Sequence, residues 1–391
     1  MIHERFCCVI DEVEEGQEVI LIKILVFNWR DILNPEAGGA EVHLHEIFKR
    51  ISYMGHEVVV ISSRFNGCKN HEKINGVKIY RVGGKFLYGV IVPLYYLLKL
   101  RKDRFDVVID DISKAPLFTP LYVRKPLIAI VHHFHGLTLF KELPFLLALP
   151  LYILEKMIPL IYKRTPFVTV SESTKHELAS YHIKREQIAV IYNGVNLHCS
   201  IGKKAEKPLV VYVGRVKRYK QLNHLIEAFK GVKQKVPEAK LVIAGKGDAH
   251  EELIELAKKI GVEFTCIREI SEEEKVRLLQ KAWVYVTTSM KEGWGTSVIE
   301  ANACGTPVVA YDVAGLREAV KNGETGYLVT YGDIKELTRK ITDILLNHQL
   351  RQEMSRNAVE WAKKFDWQAA STKMLKVIYA ITRKKLKSKD T

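Results

Sequence analysis

Residues Leu209–His250 read LVVYVGRVKRYKQLNHLIEAFKGVKQKVPEAKLVIAGKGDAH. Leu209–Val213 is an unbroken apolar run that stops at Gly214. A strand covered on both faces reads this way, because no position alternates towards water. Residues 220–235 then read as a helix, and Leu241–Ala244 as a second strand ending in another glycine turn. Strand, helix and strand in this order make a parallel unit. The pattern continues with strands at Trp283–Val286 and Pro307–Ala310 and helices at 249–260, 271–282 and 297–303. Ser271 followed by Glu274 is a capping box, which marks the start of one of those helices. From Asp333 onward the chain reads as consecutive helices.

The same alternation runs backwards from Leu209. Ile20–Phe27, Val58–Ser62, Val77–Arg81, Val107–Asp110, Leu127–Val131, Phe167–Val170 and Ile188–Ile191 read as strands, with helical patterns between several of them. The polar, aperiodic stretch 198–207 interrupts it and reads as a linker. The expectation is an α/β chain of two Rossmann-like, doubly wound domains facing across a cleft, followed by C-terminal helices. The expected boundaries are an N-terminal extension at 1–21, a first domain at 22–197, the linker at 198–207 and a second domain at 208–366. A C-terminal helix and basic tail at 367–391 are expected to pack back on the first domain.

Composition narrows the function classes. The chain has 391 residues, 47% hydrophobic and 27% charged, which excludes a disordered or collagen-like protein. No apolar run approaches the ~20 residues that a membrane span needs. The first twenty residues are acidic and lack the apolar core of a secretory signal. The six cysteines include no Cys-x-x-Cys pair, which fits a reducing, cytoplasmic setting. A net charge of +15 would suit nucleic acid, an anionic membrane or a phosphorylated ligand. No nucleic-acid-binding motif accompanies it, so no nucleic-acid partner is expected.

Six places carry chemistry. In Lys291-Glu-Gly-Trp-Gly-Thr-Ser-Val-Ile-Glu300, a glycine-bearing loop leads into a helix, with Gly295, Thr296 and Ser297 at its start. Free amides and the helix dipole there make an anion site. Glu292 and Glu300 flank it, as ligands for a hydroxyl-rich molecule such as a nucleotide sugar, or as acids complementing the dipole. Gly214, Arg215 and Lys220 follow the strand at Leu209–Val213. Two cations there would neutralise a diphosphate, or would be solvated surface charges in a lysine-rich stretch. Gly245-Lys-Gly247 makes a tight turn suited to a site beside a nucleotide. Gly38 and Gly39 open a helix after the first strand, as a close approach to a ligand or as a packing turn. His132, His133 and His135 end the strand at Leu127–Val131. They are expected to hydrogen-bond rather than to hold a metal, because no acidic or cysteine partner stands at ligand spacing. Asp110-Asp111 ends another strand and could bind a cation, although such a pair more often caps the following turn.

Taken together, Gly214-Arg215 with Lys220, Ala244-Gly-x-Gly247, Val170-Ser-Glu-Ser-Thr174, Tyr192-Asn-Gly-Val195 and Glu292 to Glu300 continuing to Val309 resemble the retaining glycosyltransferases of family 4. The resemblance runs from about Ile22 to Trp367. It implies the GT-B fold and a hexose moved, with retention, from a UDP- or GDP-linked sugar to a glycan or lipid-linked acceptor. It also implies no metal and no other cofactor. Arg215 and Lys220 would bind the diphosphate, Glu292 the donor sugar and Glu300 the ribose. Gly38 and Gly39 would approach the phosphate, and His132 the reacting carbon. Asn193, with His133 and His135, falls on the acceptor side. Arg268 stands where the family often has glycine beside the nucleobase, and Asn196 stands where an aspartate is usual. A catalytically silent nucleotide-sugar-binding subunit is the alternative. Two apolar segments in the first half, Leu87–Leu98 and Phe140–Leu154, are followed by cations. They suit either helices of the domain core or a peripheral contact with the cytoplasmic face of an anionic membrane.

Overall fold

The computed structural model describes residues 21–112, 116–195 and 201–387, with side chains to Thr382. The N-terminal extension up to residue 20, residues 198–200 of the expected linker, and the basic side chains from Arg383 onward lie outside the described residues. The chain divides into two compact units, one of residues up to Asn193 together with those from Trp367, the other Gly194–Asp366.

The first unit is built on eight strands: β1 (Lys23–Phe27), β2 (Glu57–Ser62), β3 (His71–Ile74), β4 (Val77–Arg81), β5 (Val107–Asp111), β6 (Leu127–Val131), β7 (Phe167–Thr169) and β8 (Ile188–Val190). Their order is β3-β4-β2-β1-β5-β6-β7-β8. All neighbours are parallel except the β3–β4 hairpin at the edge. Strand order reverses at β1, which pairs β2 on one side and β5 on the other. Side chains alternate between two cores. Ile24 and Val26 face the helices Gly39–Tyr53 and Trp367–Lys387, through Ile47, Phe48, Met374 and Val377. Leu25 and Phe27 face the opposite layer, where Tyr88, Val92 and Tyr96 pack. Further along that same layer, Ile158 and Tyr162 cover β6 and β7.

The second unit carries β9 (Leu209–Val213), β10 (Lys240–Ala244), β11 (Thr265–Ile267), β12 (Val284–Thr287), β13 (Val308–Tyr311) and β14 (Gly326–Val329). The sheet order is β11-β10-β9-β12-β13-β14, and all neighbours are parallel. This is the doubly wound order of a dinucleotide-binding fold, with its switch point between β9 and β12. The helices Leu222–Lys235 and Ile334–Leu346 cover one face with Leu225, Phe229, Leu337 and Ile341. The described part of the expected linker, 201–207, lies against this unit. The Trp283 indole donates to the Ala205 carbonyl at 2.8 Å, and the Lys204 ammonium to Thr306 Oγ1 at 2.8 Å.

The structure adds strands that the sequence reading does not contain. β3 is short, polar and half-exposed, as an edge strand can be, so no apolar run marks it. β11 and β14 are also short and sit at the two edges of the second sheet. The segment Phe140–Leu154 is divided by Leu143 and Pro144 between a single turn, Leu139–Glu142, and the helix Phe145–Ile161.

Candidate functional site

In an open parallel sheet, ligands bind beyond the strand ends at the switch point. In the second unit, that point is flanked by the loops after β9 and β12. They carry Arg215 with Lys220, and Glu292. The two loops are knitted together. Thr288 Oγ1 donates to the carbonyls of Lys220 at 2.9 Å and Gln221 at 2.8 Å, and the Met290 amide donates to the Tyr219 carbonyl at 3.0 Å. The Lys220 ammonium donates to Glu292 Oε1, so residues far apart in sequence form one mostly buried ion pair. Glu292 Oε1 also accepts from Ser289 Oγ at 2.6 Å. Burial works against the charge of Lys220, but Glu292 beside it outweighs this and holds the ammonium above the usual lysine range.

Arg215 is exposed, and its guanidinium donates to Tyr219 Oη at 3.2 Å. Its backbone is fixed by Tyr212 Oη, which donates to the Arg215 carbonyl at 2.9 Å. Gly214 has no room for a side chain, because a Cβ would stand 2.9 Å from that same Tyr212 oxygen. Gly245 and Gly247 do something sequence spacing did not reveal. Their turn is laid directly on the β9 loop, with the Val216 amide donating to the Lys246 carbonyl at 2.8 Å. A Cβ on Gly247 would lie 1.8 Å from the Val216 carbonyl oxygen, and one on Gly245 2.0 Å from that of Gly214. These glycines therefore position the loop that bears both cations.

The helix Thr296–Ala303 starts at Gly295, where a Cβ would crowd Ala319 at 2.9 Å. Ser297 Oγ accepts from Tyr285 Oη at 2.8 Å, which ties the helix start to β12. One turn on, Glu300 Oε1 accepts from the Lys275 ammonium at 2.9 Å. Burial pushes the Glu300 carboxyl above its usual range, and Lys275 only partly offsets it. Lys275 lies on the helix Glu272–Lys281 and was not legible in the sequence, because no local motif joins it to Glu300. Gly315 is another such residue. It adopts φ +80°, and a Cβ there would meet the Glu292 carbonyl oxygen at 2.4 Å. It thereby lets the segment before the helix Leu316–Ala319 buttress the Glu292 loop, whose amide donates to the Ala314 carbonyl at 3.1 Å. Arg268 lies further out, after edge strand β11, and is exposed in an ion pair with Glu251 at 2.6 Å.

In the first unit, the remaining residues gather at the corresponding strand ends. Gly38 precedes the helix Gly39–Tyr53, and its amide donates to Glu41 Oε2 at 2.7 Å. A Cβ on Gly39 would meet nothing within 4 Å, so packing does not demand glycine there. After β6, His132 Nε2 lies 3.0 Å from Asp111 Oδ1, at the end of β5. Burial lowers the affinity of His132 for a proton, but the Asp111 carboxylate and Glu41 outweigh it and raise its pKa. The neighbouring His43 ring stands edge-on at 5.1 Å, and burial holds it well below the usual histidine range. Asn193 lies near His43 and works against that lowering. His133 and His135 pack ring to ring at 4.6 Å. The loop that carries them is held by Glu155, whose carboxylate accepts from the amides of His135 at 2.6 Å and Gly136 at 2.7 Å. Glu155 was missed because, next to Lys156 in an otherwise apolar helix, it reads as half of a solvated charged pair. Among the described residues, no group of three or more His, Cys, Asp or Glu side chains is arranged to hold a metal ion.

The model for glycosyltransferase family 4 matches residues 37–198, and the model for glycosyl transferases group 1 matches residues 196–361. An uncharacterized glycosyltransferase of Methanocaldococcus jannaschii is 26% identical over 91% of this chain and 98% of its own. A glycogen synthase of Mycobacterium tuberculosis is 25% identical over 93% of this chain and 95% of its own. Among solved structures, sucrose-phosphate synthase from Thermosynechococcus elongatus superposes with a TM-score of 0.75 at 20% identity, covering 90% of this chain and 97% of that one. Anabaena HepE, solved in complex with UDP and glucose, gives 0.72 at 19%, covering 92% and 100%. At such identities the structural likeness establishes the fold, which is GT-B.

Proposed function

The chain belongs to the group 1, family 4 glycosyltransferases, and from that premise we propose that it transfers a hexose, with retention, from a UDP- or GDP-linked sugar to a glycan or lipid-linked acceptor. The observation that carries the proposal is the Lys220–Glu292 pair at the switch point of the second sheet, with Arg215 on the same loop as the lysine. A cation whose charge is reinforced by a buried carboxylate is ready for a diphosphate before the ligand arrives. That is preorganised stabilisation of leaving-group charge.

In this reading, Lys220, Arg215 and the amides around Gly295, Thr296 and Ser297 take the diphosphate. Gly214, Gly245 and Gly247 shape the loop. Glu292 holds hydroxyls of the donor sugar, and Glu300, steadied by Lys275, holds the ribose. Arg268 is assigned to the nucleobase side. In the first unit, Gly38 and Gly39 serve the donor phosphate and His132 the reacting carbon, while His133, His135 and Asn193 serve the acceptor. The acceptor hydroxyl oxygen forms the new bond to the anomeric carbon. The bond from that carbon to the phosphate oxygen breaks, its electron pair stays with the diphosphate, and a diphosphate oxygen takes the hydroxyl proton. Metal independence is part of the proposal, since the two cations and the helix amides supply the positive field.

The test is a thermal-shift screen of the purified protein against UDP- and GDP-sugars with EDTA present. A ligand that binds only the folded state raises the melting temperature. The expected result is a rise with one donor, absent in Lys220→Ala. No rise with any donor, and no donor turnover, would remove the proposal.

A further inference from the structure

Two helices of the first unit present apolar side chains to solvent as well as to the core. In the helix Phe145–Ile161, Ala148, Glu155 and Ile158 face inward. Leu146, Leu149, Ile153, Met157 and Leu160 recur at three- and four-residue steps and form one outward stripe. Leu146 is 82% and Leu160 74% exposed. The segment Phe86–Leu98 repeats the arrangement. Tyr88, Val92 and Tyr96 are buried, while Leu87, Val90, Leu94 and Leu98 point out, with Phe86 92% and Leu98 79% exposed. A surface helix ordinarily turns charged residues outward, and one that is apolar all round is ordinarily covered.

The two stripes belong to one layer. Along β1, Leu25 and Phe27 face the Tyr88 helix. Along β6 and β7, Ala129, Val131 and Phe167 face Ile158 of the other helix. Their alternate neighbours Ile24, Val26, Ile128, Ile130 and Val168 all lie in the single core on the opposite face of the sheet. Both helices therefore cover the same face. Exposed cations border the stripes: Lys99, Arg101, Lys102 and Arg104 after the first, Lys156, Lys163 and Arg164 on and after the second. The one acid within Phe145–Ile161 is Glu155, and it is buried.

We propose that this face docks on the surface of an anionic lipid bilayer, with the outward leucines in the acyl boundary and the flanking lysines and arginines at the headgroups. Apolar area and cation attraction add in such interfacial binding. No helix among the described residues is long and apolar enough to cross a membrane, so the contact is peripheral. A second copy of the chain is the poorer occupant, because pairing this face with itself would bring two cation borders together in an already basic protein. The inner side of the docked helix holds the His135–Gly136 loop through Glu155. The helix on the membrane and the loop assigned to the acceptor are thus directly joined. That consequence rests on the transferase reading, whereas the docking itself does not.

The experiment is co-sedimentation of the full chain, without donor, with phosphatidylcholine–phosphatidylglycerol vesicles and with phosphatidylcholine alone at low salt. We expect binding to the mixed vesicles and at least about tenfold weaker binding by Leu146→Glu/Leu160→Glu, since both the inserted area and the charge sign are reversed. Arg101→Glu/Lys102→Glu should abolish the preference for the anionic vesicles. These side chains are exposed, so the melting temperatures of both variants should match the parent protein. A parent protein that stays in the supernatant, or a leucine variant that binds as well as the parent, overturns the proposal. So does a parent dimer that the leucine variant disperses while neither binds lipid. Vesicle binding with neither a donor-induced thermal shift nor donor turnover would leave the docking standing and remove the transferase reading. A donor shift without vesicle binding would do the reverse.

Discussion

Lys220 and Glu292 hold opposite charges in a mostly buried place, so neither can be removed cheaply. Deleting one partner of a buried pair leaves the other desolvated and alone. In the proposed reaction, the lysine also loses its contact with the developing charge of the leaving group. Lys220→Ala and Glu292→Ala are each expected to lower kcat by about two to three orders of magnitude, the range for removing one preorganised charge-stabilising contact. Near-normal kcat/KM in either would refute that residue's role. Asp110 poses a different question. It accepts from Thr119 Oγ1 at 2.6 Å and Tyr162 Oη at 2.5 Å, yet burial pushes its carboxyl up to about 6. A carboxyl that is harder to ionise folded than unfolded favours the folded state while protonated. Its contribution is complete below the unfolded value near 3.9 and is lost as pH rises through about 6. Relative to Asp110→Asn, the parent protein should therefore lose on the order of 2–3 kcal/mol between pH 4 and pH 7. Parallel stability curves for the two proteins would contradict this account.

Among the elements, the loops after β9, β10 and β12 behave as one stacked assembly. The Gly245–Gly247 turn lies on the β9 loop, and the β12 loop is bonded to that loop from the other side. A methyl on Gly247 would collide with the carbonyl of Val216, which is backbone and cannot rotate away. Gly247→Ala should therefore cost about 1–3 kcal/mol of stability and raise KM for the donor, because the β9 loop that carries Arg215 and Lys220 must shift. Unchanged melting and KM would refute this role for the turn. Much of this level was legible in the sequence. Short apolar runs ending in glycine marked β9 and β10, and Ser271 with Glu274 marked the start of the helix Glu272–Lys281. What stayed illegible was contact between segments without a local pattern. Lys275 meets Glu300 from another helix, and Gly315 is needed only because the Glu292 carbonyl passes over it. Glu155 looks like an interruption in an apolar helix until the two amides that it holds are seen. Edge strands β3 and β11 escaped because a strand with one neighbour need not be an apolar run, and β14 because its apolar run, Tyr327–Val329, is so short.

At the scale of the whole molecule, the chain leaves the first unit after Asn193 and re-enters it at Trp367. Trp367, Ala370, Met374, Val377 and Ile378 lie in the same core as Ile24, Ile47 and Phe48, from the start of the chain. The core cluster of the second unit built from residues between Val210 and Met354 contains none of them. Damage to the last helix should therefore strike the first unit. Met374 is fully buried, and a large-to-small change at such a site costs roughly 2–5 kcal/mol through lost burial and the cavity left behind. Met374→Ala is expected to lower the unfolding transition of the first unit by that amount. The transition that nucleotide sugar raises, assigned to the second unit, should stay in place. Differential scanning calorimetry with and without donor separates the two, because only the transition of the binding unit responds to ligand. If both transitions fall together in Met374→Ala, the two cores unfold as one cooperative system. The second unit's site would then depend on a helix whose buried side chains lie in the core of the first.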